Sequence, residues 1–275
     1  MNTSDLTCAT VTVEAAVAEV TLTATGKANR MGPDYWAQLP TLFARLDEEA
    51  AVRAIVLRGA GEHFSFGLDL AAMGGELAEL LQPEAGARAR QTLLNTIRRM
   101  QDANTAVARC RKPVIAAVSG WCIGGGVDLI TACDVRLASA DAKFSVREVK
   151  LAMVADVGTL ARLPAIVGQG VARELAFTGD DVDAARALRI GLVNEVYPTQ
   201  AELLTQARAM AVRMARNSPL VLAGIKEVMN AQSEAQARES LATVALWNAA
   251  FLPSKDLLEA MGAFLEKREP TFCGE

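Results

Sequence analysis

The stretch KPVIAAVSGWCIGGGVDL, residues 112–129, decides how the chain is read. Its first part, PVIAAVSG (113–120), is a short apolar run closed by a glycine, as expected of a strand covered on both faces. Gly124, Gly125 and Gly126 then stand between this strand and an expected helix. With no Cβ in the way, their backbone N–H groups can approach an anion or a polarised oxygen. The run lacks the Lys-Ser/Thr of a P-loop and the G-x-G-x-x-G spacing of a dinucleotide fold, so nucleotide phosphate chemistry of either standard kind is not indicated.

Working outward, AIVLRG (54–59) is a second buried-strand run, and VTVEAAVAEVTLTA (11–24) has the β-branched alternation of a hairpin. Pro33 suits the first turn of a helix carrying Trp36, Leu39, Leu42, Phe43 and Leu46 at helical spacing. Another long helix is expected over about 85–109. Past residue 157 strand signals nearly vanish, and three or four amphipathic stretches follow between 199 and 266. The pattern predicts an α/β core over 1–198 and a C-terminal helical region over 199–275.

Composition narrows the function. The 275 residues are 51% hydrophobic, enough for a sizeable core, with 28 basic and 32 acidic side chains for a net charge of −4. No basic cluster suggests a nucleic-acid partner. No run approaches the ~20 apolar residues of a membrane span, and the N-terminus has no leader pattern, so a cytoplasmic location is expected. Five cysteines without a C-x-x-C pair read as reduced thiols, and His63 is the sole histidine, which argues against a metal site or a histidine-based triad.

A second loop, GEHFSFGLDL (61–70), again follows a strand and contains Gly67. Should both loops lie at the same ends of adjacent strands, the amides of Leu68 and Gly125 converge on one oxygen in oxyanion-hole geometry. HFSFGLDL, the 112–129 block, ACDVRLAS (132–139), ALRIGLVNEV (187–196) and FLEKREPTF (264–272) together resemble the crotonase, or enoyl-CoA hydratase/isomerase, superfamily. The resemblance implies a ββα spiral core and a C-terminal helical trimerisation region. It also implies a homotrimer or homohexamer, and an acyl-CoA thioester substrate held by the N–H groups of Leu68 and Gly125. No cofactor beyond the substrate's own coenzyme A, and no metal, is expected. Phe66, Gly67, Asp69, Gly124 and Gly126 fall in the substrate-binding loops, and Phe264 and Lys267 resemble a contact with the nucleotide end of coenzyme A.

The reaction turns on carboxylates. Hydratases of this superfamily place glutamates at the positions of Asp128 and Glu148 and a glycine at that of Asp156. The Asp128, Glu148, Asp156 set resembles instead the delta(3,5)-delta(2,4)-dienoyl-CoA isomerases. The resemblance implies proton abstraction at C2 by Glu148 and protonation at C6 by Asp156, with Asp128 tuning both; the roles of Glu148 and Asp156 can also be exchanged. C2 and C6 lie about 5 Å apart, so two separate carboxyls suit the chemistry. A bland role remains for each acid: Asp128 at a helix start and Asp156 as an N-cap. The alternatives are an enoyl-CoA hydratase and a non-catalytic acyl-CoA binding subunit. Met73, Leu77, Leu80 and Leu81 form an apolar stripe suited to an acyl tunnel or to the core.

Overall fold

The structure is a computed structural model that describes residues 3, 5–23 and 29–275. Residue 24, at the end of the hairpin reading, and residues 1, 2 and 4 of the N-terminal reading lie outside the described residues. The hairpin itself is β1 (Ala9–Glu14) paired antiparallel with β2 (Val17–Leu22) through Ala15 and Ala16, both at positive φ. Helix α1 (Pro33–Glu48) starts on Pro33 behind the N-cap Gly32 and buries the expected Trp36, Leu39, Leu42, Phe43 and Leu46. Strand β3 (Ala54–Gly59), α2 (Leu70–Leu77) and α3 (Ala87–Arg109) follow. The glycine block supplies β4 (Val114–Val118), β5 (Trp121–Ile123) and α4 (Gly125–Thr131).

The next turn of chain repeats this order with β6 (Val135–Ser139), β7 (Lys143–Ser145), a 3-10 turn at Glu148–Leu151, α5 (Thr159–Val167) and α6 (Gln169–Thr178). Two-residue β8 (Val182–Asp183), α7 (Ala184–Arg189) and β9 (Glu195–Tyr197) lead into α8 (Gln200–Ala215), α9 (Pro219–Phe251) and α10 (Lys255–Glu266). The larger sheet has the order β1-β2-β3-β4-β6-β9 and the smaller one β5-β7-β8. The turns β4-β5-α4 and β6-β7-α5 each place one strand in the large sheet and a short one in the small sheet before a helix, which is the expected ββα spiral.

Both faces of the large sheet are covered, which explains the unbroken apolar runs of its strands. Ile55, Leu57, Val114, Ala116 and Val118 face the core shared with α1 and α3. Ala54, Val56, Ile115, Ala117 and Leu137 face α8, whose Leu203, Ala207, Ala211 and Ala215 form a small-residue stripe against the strands. On the α3 side, α9 packs along α3 and closes over the loop after the 3-10 turn. Ile115 is fully buried between β4 and α8. Ile115→Ala should therefore cost about 2–5 kcal/mol of stability, read from the midpoint of chemical denaturation.

Candidate active site

The two glycine loops meet because Ser65 pairs with Cys122 in a parallel bridge. Ser65 N–H donates to the Trp121 carbonyl at 3.0 Å, and Ile123 N–H donates to the Ser65 carbonyl at 2.9 Å. Gly67 then passes so near the second loop that a Cβ there would lie 2.7 Å from the Ile123 carbonyl oxygen and 2.9 Å from Gly125 N. Its φ of +72°, and the φ of +52° at Gly124, are also conformations that side chains disfavour. Gly126 packs in the same way, with a Cβ there 3.1 Å from the Ser65 carbonyl oxygen.

This approach leaves two amides available. Met31 N–H donates to the Gly67 carbonyl and Asp69 N–H donates to the Met31 carbonyl, so the bridge with Met31 uses the neighbours of Leu68 and not its N–H. Gly125 opens α4, where the first N–H groups have no helical acceptor. Among the described residues neither amide donates a hydrogen bond, and a Cβ built on Gly125 would stand 3.7 Å from Leu68 N. Two convergent free N–H groups can stabilise charge developing on one oxygen. The flanking residues serve the frame. Asp69 caps α2 by accepting from Ala72 N–H, and Phe66 packs edge-on against His63, whose Nδ1 accepts from Trp121 N–H.

Three carboxyls gather behind these loops. Asp128, on α4, is fully buried, and its Oδ1 accepts from Thr159 N–H while Oδ2 has no partner among the described residues. Burial pushes its carboxyl up to about 6 against the pull of the Thr159 hydrogen bonds and the Arg162 charge. Glu148 opens the 3-10 turn and sets Oε1 3.3 Å from where a Cβ on Gly124 would be, with Oε2 shut from solvent and unpartnered among the described residues. Its carboxyl lies well above the usual range through burial first, then repulsion from Asp128 and Asp156. Asp156 rises to about 7, again mainly by burial, with the Asn248 hydrogen bond acting in the opposite direction.

The N-cap reading of Asp156 is corrected by the structure. Helix α5 begins at Thr159 with Gly158 at its N-cap, and it is Asp128, from another helix, that accepts the Thr159 N–H. Asp156 instead accepts from Asn248 Nδ2 on α9 at 2.7 Å. Its main-chain carbonyl takes a hydrogen bond from Gln101 Nε2 on α3, and Asn104 Nδ2 donates to the next carbonyl, that of Val157, at 3.3 Å. Asn248, Gln101, Asn104 and the buried Arg162 were not legible as site residues, because single amides and one arginine inside amphipathic helices carry no spacing signal.

Asp156 and Leu68 border one apolar cavity of about 220 Å³ with Leu77, Leu81, Met100 and Met153. Leu257, Leu258 and Met261 of α10 close another side of it. Glu148 borders an adjoining cavity that shares Met153. The apolar stripe therefore divides: Leu77 and Leu81 line the cavity, while Met73 is core and Leu80 packs against that core. Phe264 and Lys267 are exposed at the end of α10 and line neither cavity. Among the described residues no group of three or more His, Cys, Asp or Glu side chains is placed to hold a metal ion, and no helix is long and apolar enough to cross a membrane.

Residues 12–275 match the family model described as enoyl-CoA hydratase/isomerase. The chain belongs to that family. It is 44% identical to the mitochondrial delta(3,5)-delta(2,4)-dienoyl-CoA isomerase of Dictyostelium discoideum, over 93% of this chain and 87% of the relative. With the peroxisomal enzyme of that name from Arabidopsis thaliana it shares 43% identity, over 89% and 88% of the two chains. Among solved structures, an enoyl-CoA hydratase from Mycobacterium avium subsp. paratuberculosis K-10 superposes with a TM-score of 0.83 at 25% identity, covering 98% of this chain and 99% of the other. The cytoplasmic location expected from the sequence is corrected by the relatives, whose names place them in mitochondria and peroxisomes.

The raised carboxyls have a consequence for stability. An ordinary aspartate loses its proton near 3.8, whereas Asp156 in the folded protein keeps it to about 7. Between those values the folded state binds the extra proton, so stability falls as pH rises through this window. Asp156→Asn removes that liability. Its thermal midpoint should exceed that of the unsubstituted protein at pH 8, with the difference shrinking toward pH 4 in scans across the range.

Proposed function

We propose that this enzyme converts a 3,5-dienoyl-CoA to a 2,4-dienoyl-CoA, with the thioester oxygen held by the N–H groups of Leu68 and Gly125. The observation that carries the reading is Asp156, a carboxyl raised to about 7 on the wall of the cavity that Leu68 also borders. A protonated acid there can deliver a proton to a remote carbon. The names of the Dictyostelium and Arabidopsis relatives support the same reaction.

In this mechanism Glu148, pressed against the glycine triplet, removes the C2 proton while the two amides stabilise the resulting dienolate. The electron pair shifts along the conjugated chain, and Asp156 protonates C6. Burial raises both Asp128 and Glu148, and repulsion from Asp128 raises Glu148 further, so Asp128 makes Glu148 the stronger base. Asp128 is thereby proposed as a tuning residue. Gly67 and Gly124 permit the close approach, and Gly126 and Phe66 back it. Phe264 and Lys267 are proposed to meet the nucleotide end of coenzyme A. No redox group or metal is required by any step.

Leu220, Val221, Ile225, Val228 and Met229 leave an exposed apolar face on α9. This supports assembly as a homotrimer or a dimer of trimers, to be read from the native mass.

The reaction is tested by absorbance, because only the 2,4-dienoyl product is conjugated to the thioester carbonyl. Conversion of 3,5-dienoyl-CoA should far exceed hydration of crotonyl-CoA. Asp156→Asn should lower kcat by about 10²–10⁴-fold; retention of full activity by a folded Asp156→Asn protein would remove Asp156 from the mechanism. Gly67→Ala places a methyl against Gly125 N and should cost about 10²–10³-fold in kcat, the effect of losing one oxyanion donor, with far-ultraviolet circular dichroism unchanged.

A further inference from the structure

We propose that Asn248 is a positioning residue that determines which oxygen of Asp156 carries the transferable proton. The inference rests on the isomerase reading above. Asn248 Nδ2 lies 2.8 Å from the Val154 carbonyl oxygen and 2.7 Å from Asp156 Oδ2. A carbonyl oxygen only accepts, so the atom beside Val154 must be the amide nitrogen, and this settles the orientation of the Asn248 amide. Both of its hydrogens are then committed, one to each oxygen.

It follows that Asp156 Oδ2 is an acceptor whether Asp156 is ionised or neutral. When Asp156 is neutral, its proton sits on Oδ1. The two oxygens of an unrestrained carboxyl would share that proton equally, whereas here one is reserved by α9. Transfer then breaks the Oδ1–H bond, forms C6–H, and leaves the electron pair on Asp156. Glu148 holds the proton taken from C2, and exchange with solvent restores both groups.

Among the described residues the one other donor acting on this carboxyl is the main-chain N–H of Asp156 itself. Asp128 of α4 and Glu148 of the 3-10 turn are the titratable groups that act on this region, and both are acids. From α3, Gln101 donates to the main-chain carbonyl of Asp156 and to that of Leu241, not to the carboxyl. Helix α10 adds only Leu257, Leu258 and Met261 to the cavity wall. Among the described residues Asn248 is the sole side chain donating to the Asp156 carboxyl. A hydrogen bond given to a carboxyl favours its charged form, so Asn248 also holds Asp156 lower than burial alone would set it.

The test reads protonation separately from turnover. With 13C-labelled aspartate carboxyls, the Asp156 resonance is assigned by its loss in Asp156→Asn and titrated in the unsubstituted protein, in Asn248→Leu, and in Asn248→Ser. Leucine keeps the volume without a donor; serine has one hydrogen and can serve only one of the two oxygens. In Asn248→Leu the Asp156 midpoint should rise by about one pH unit or more. The alkaline limb of kcat for 3,5-dienoyl-CoA should move up with it, and kcat should fall more than KM changes. Asn248→Ser should shift in the same direction by less, and it decides the matter if Asn248→Leu does not fold. A folded variant whose Asp156 midpoint and alkaline limb both stay in place would overturn the assignment. Absence of dienoyl isomerisation in the unsubstituted enzyme would instead sink the functional reading, while the titration would still judge Asn248.

Discussion

The pairing of Ser65 with Cys122 is the contact on which the site depends. It joins loops from two successive turns of the chain and holds them at a spacing where Gly67 and Gly125 touch through backbone atoms. Both flanking strands, β3 and β4, are neighbours in the large sheet, so the register of that sheet sets the register of the loops. The free amides of Leu68 and Gly125 are a by-product of this geometry, since the Gly67 carbonyl and the Asp69 N–H are already spent on the bridge with Met31.

Placing three acids behind such a frame runs against stability. Asp128 is fully enclosed, and among the described residues Asp128 Oδ2 and Glu148 Oε2 both lack partners. Burial dominates the rise of all three carboxyls. Groups poised near neutrality can exchange protons with carbon acids at working pH, which ordinary surface carboxylates cannot do efficiently. Arg162, also buried, offsets part of the charge around Asp128, and its Nε lies 3.5 Å from Glu234 Oε1.

Much of the fold was legible because both sheet faces are covered. Apolar runs such as 54–59 and 113–120 read as strands, and the helix beginning at Pro33 announced itself through spacing and its N1 proline. The short strands β5, β7 and β8 were not legible, since two or three residues carry no periodicity. The two loops could be named from their glycines, and the three acids from the resemblance to the family. Their environment could not: the cap that Asp128 supplies to α5, the grip of Asn248 on Asp156 and the division of the Met73 to Leu81 stripe all arise from contacts across more than thirty residues of chain or from three-dimensional packing. The location expected from the N-terminal residues was likewise beyond what composition can carry.

The site is assembled from two separable supports. The hydrogen bonds fixing the amides come from the loops between the sheets, whereas those fixing Asp156 come from Gln101 on α3 and Asn248 on α9. In the proposed mechanism, a lineage can therefore change the support of the proton donor by altering helices far along the chain while leaving the two amides intact. The architecture is divided along a line that lets the surroundings of Asp156 diversify without rebuilding the loops that hold the two amides.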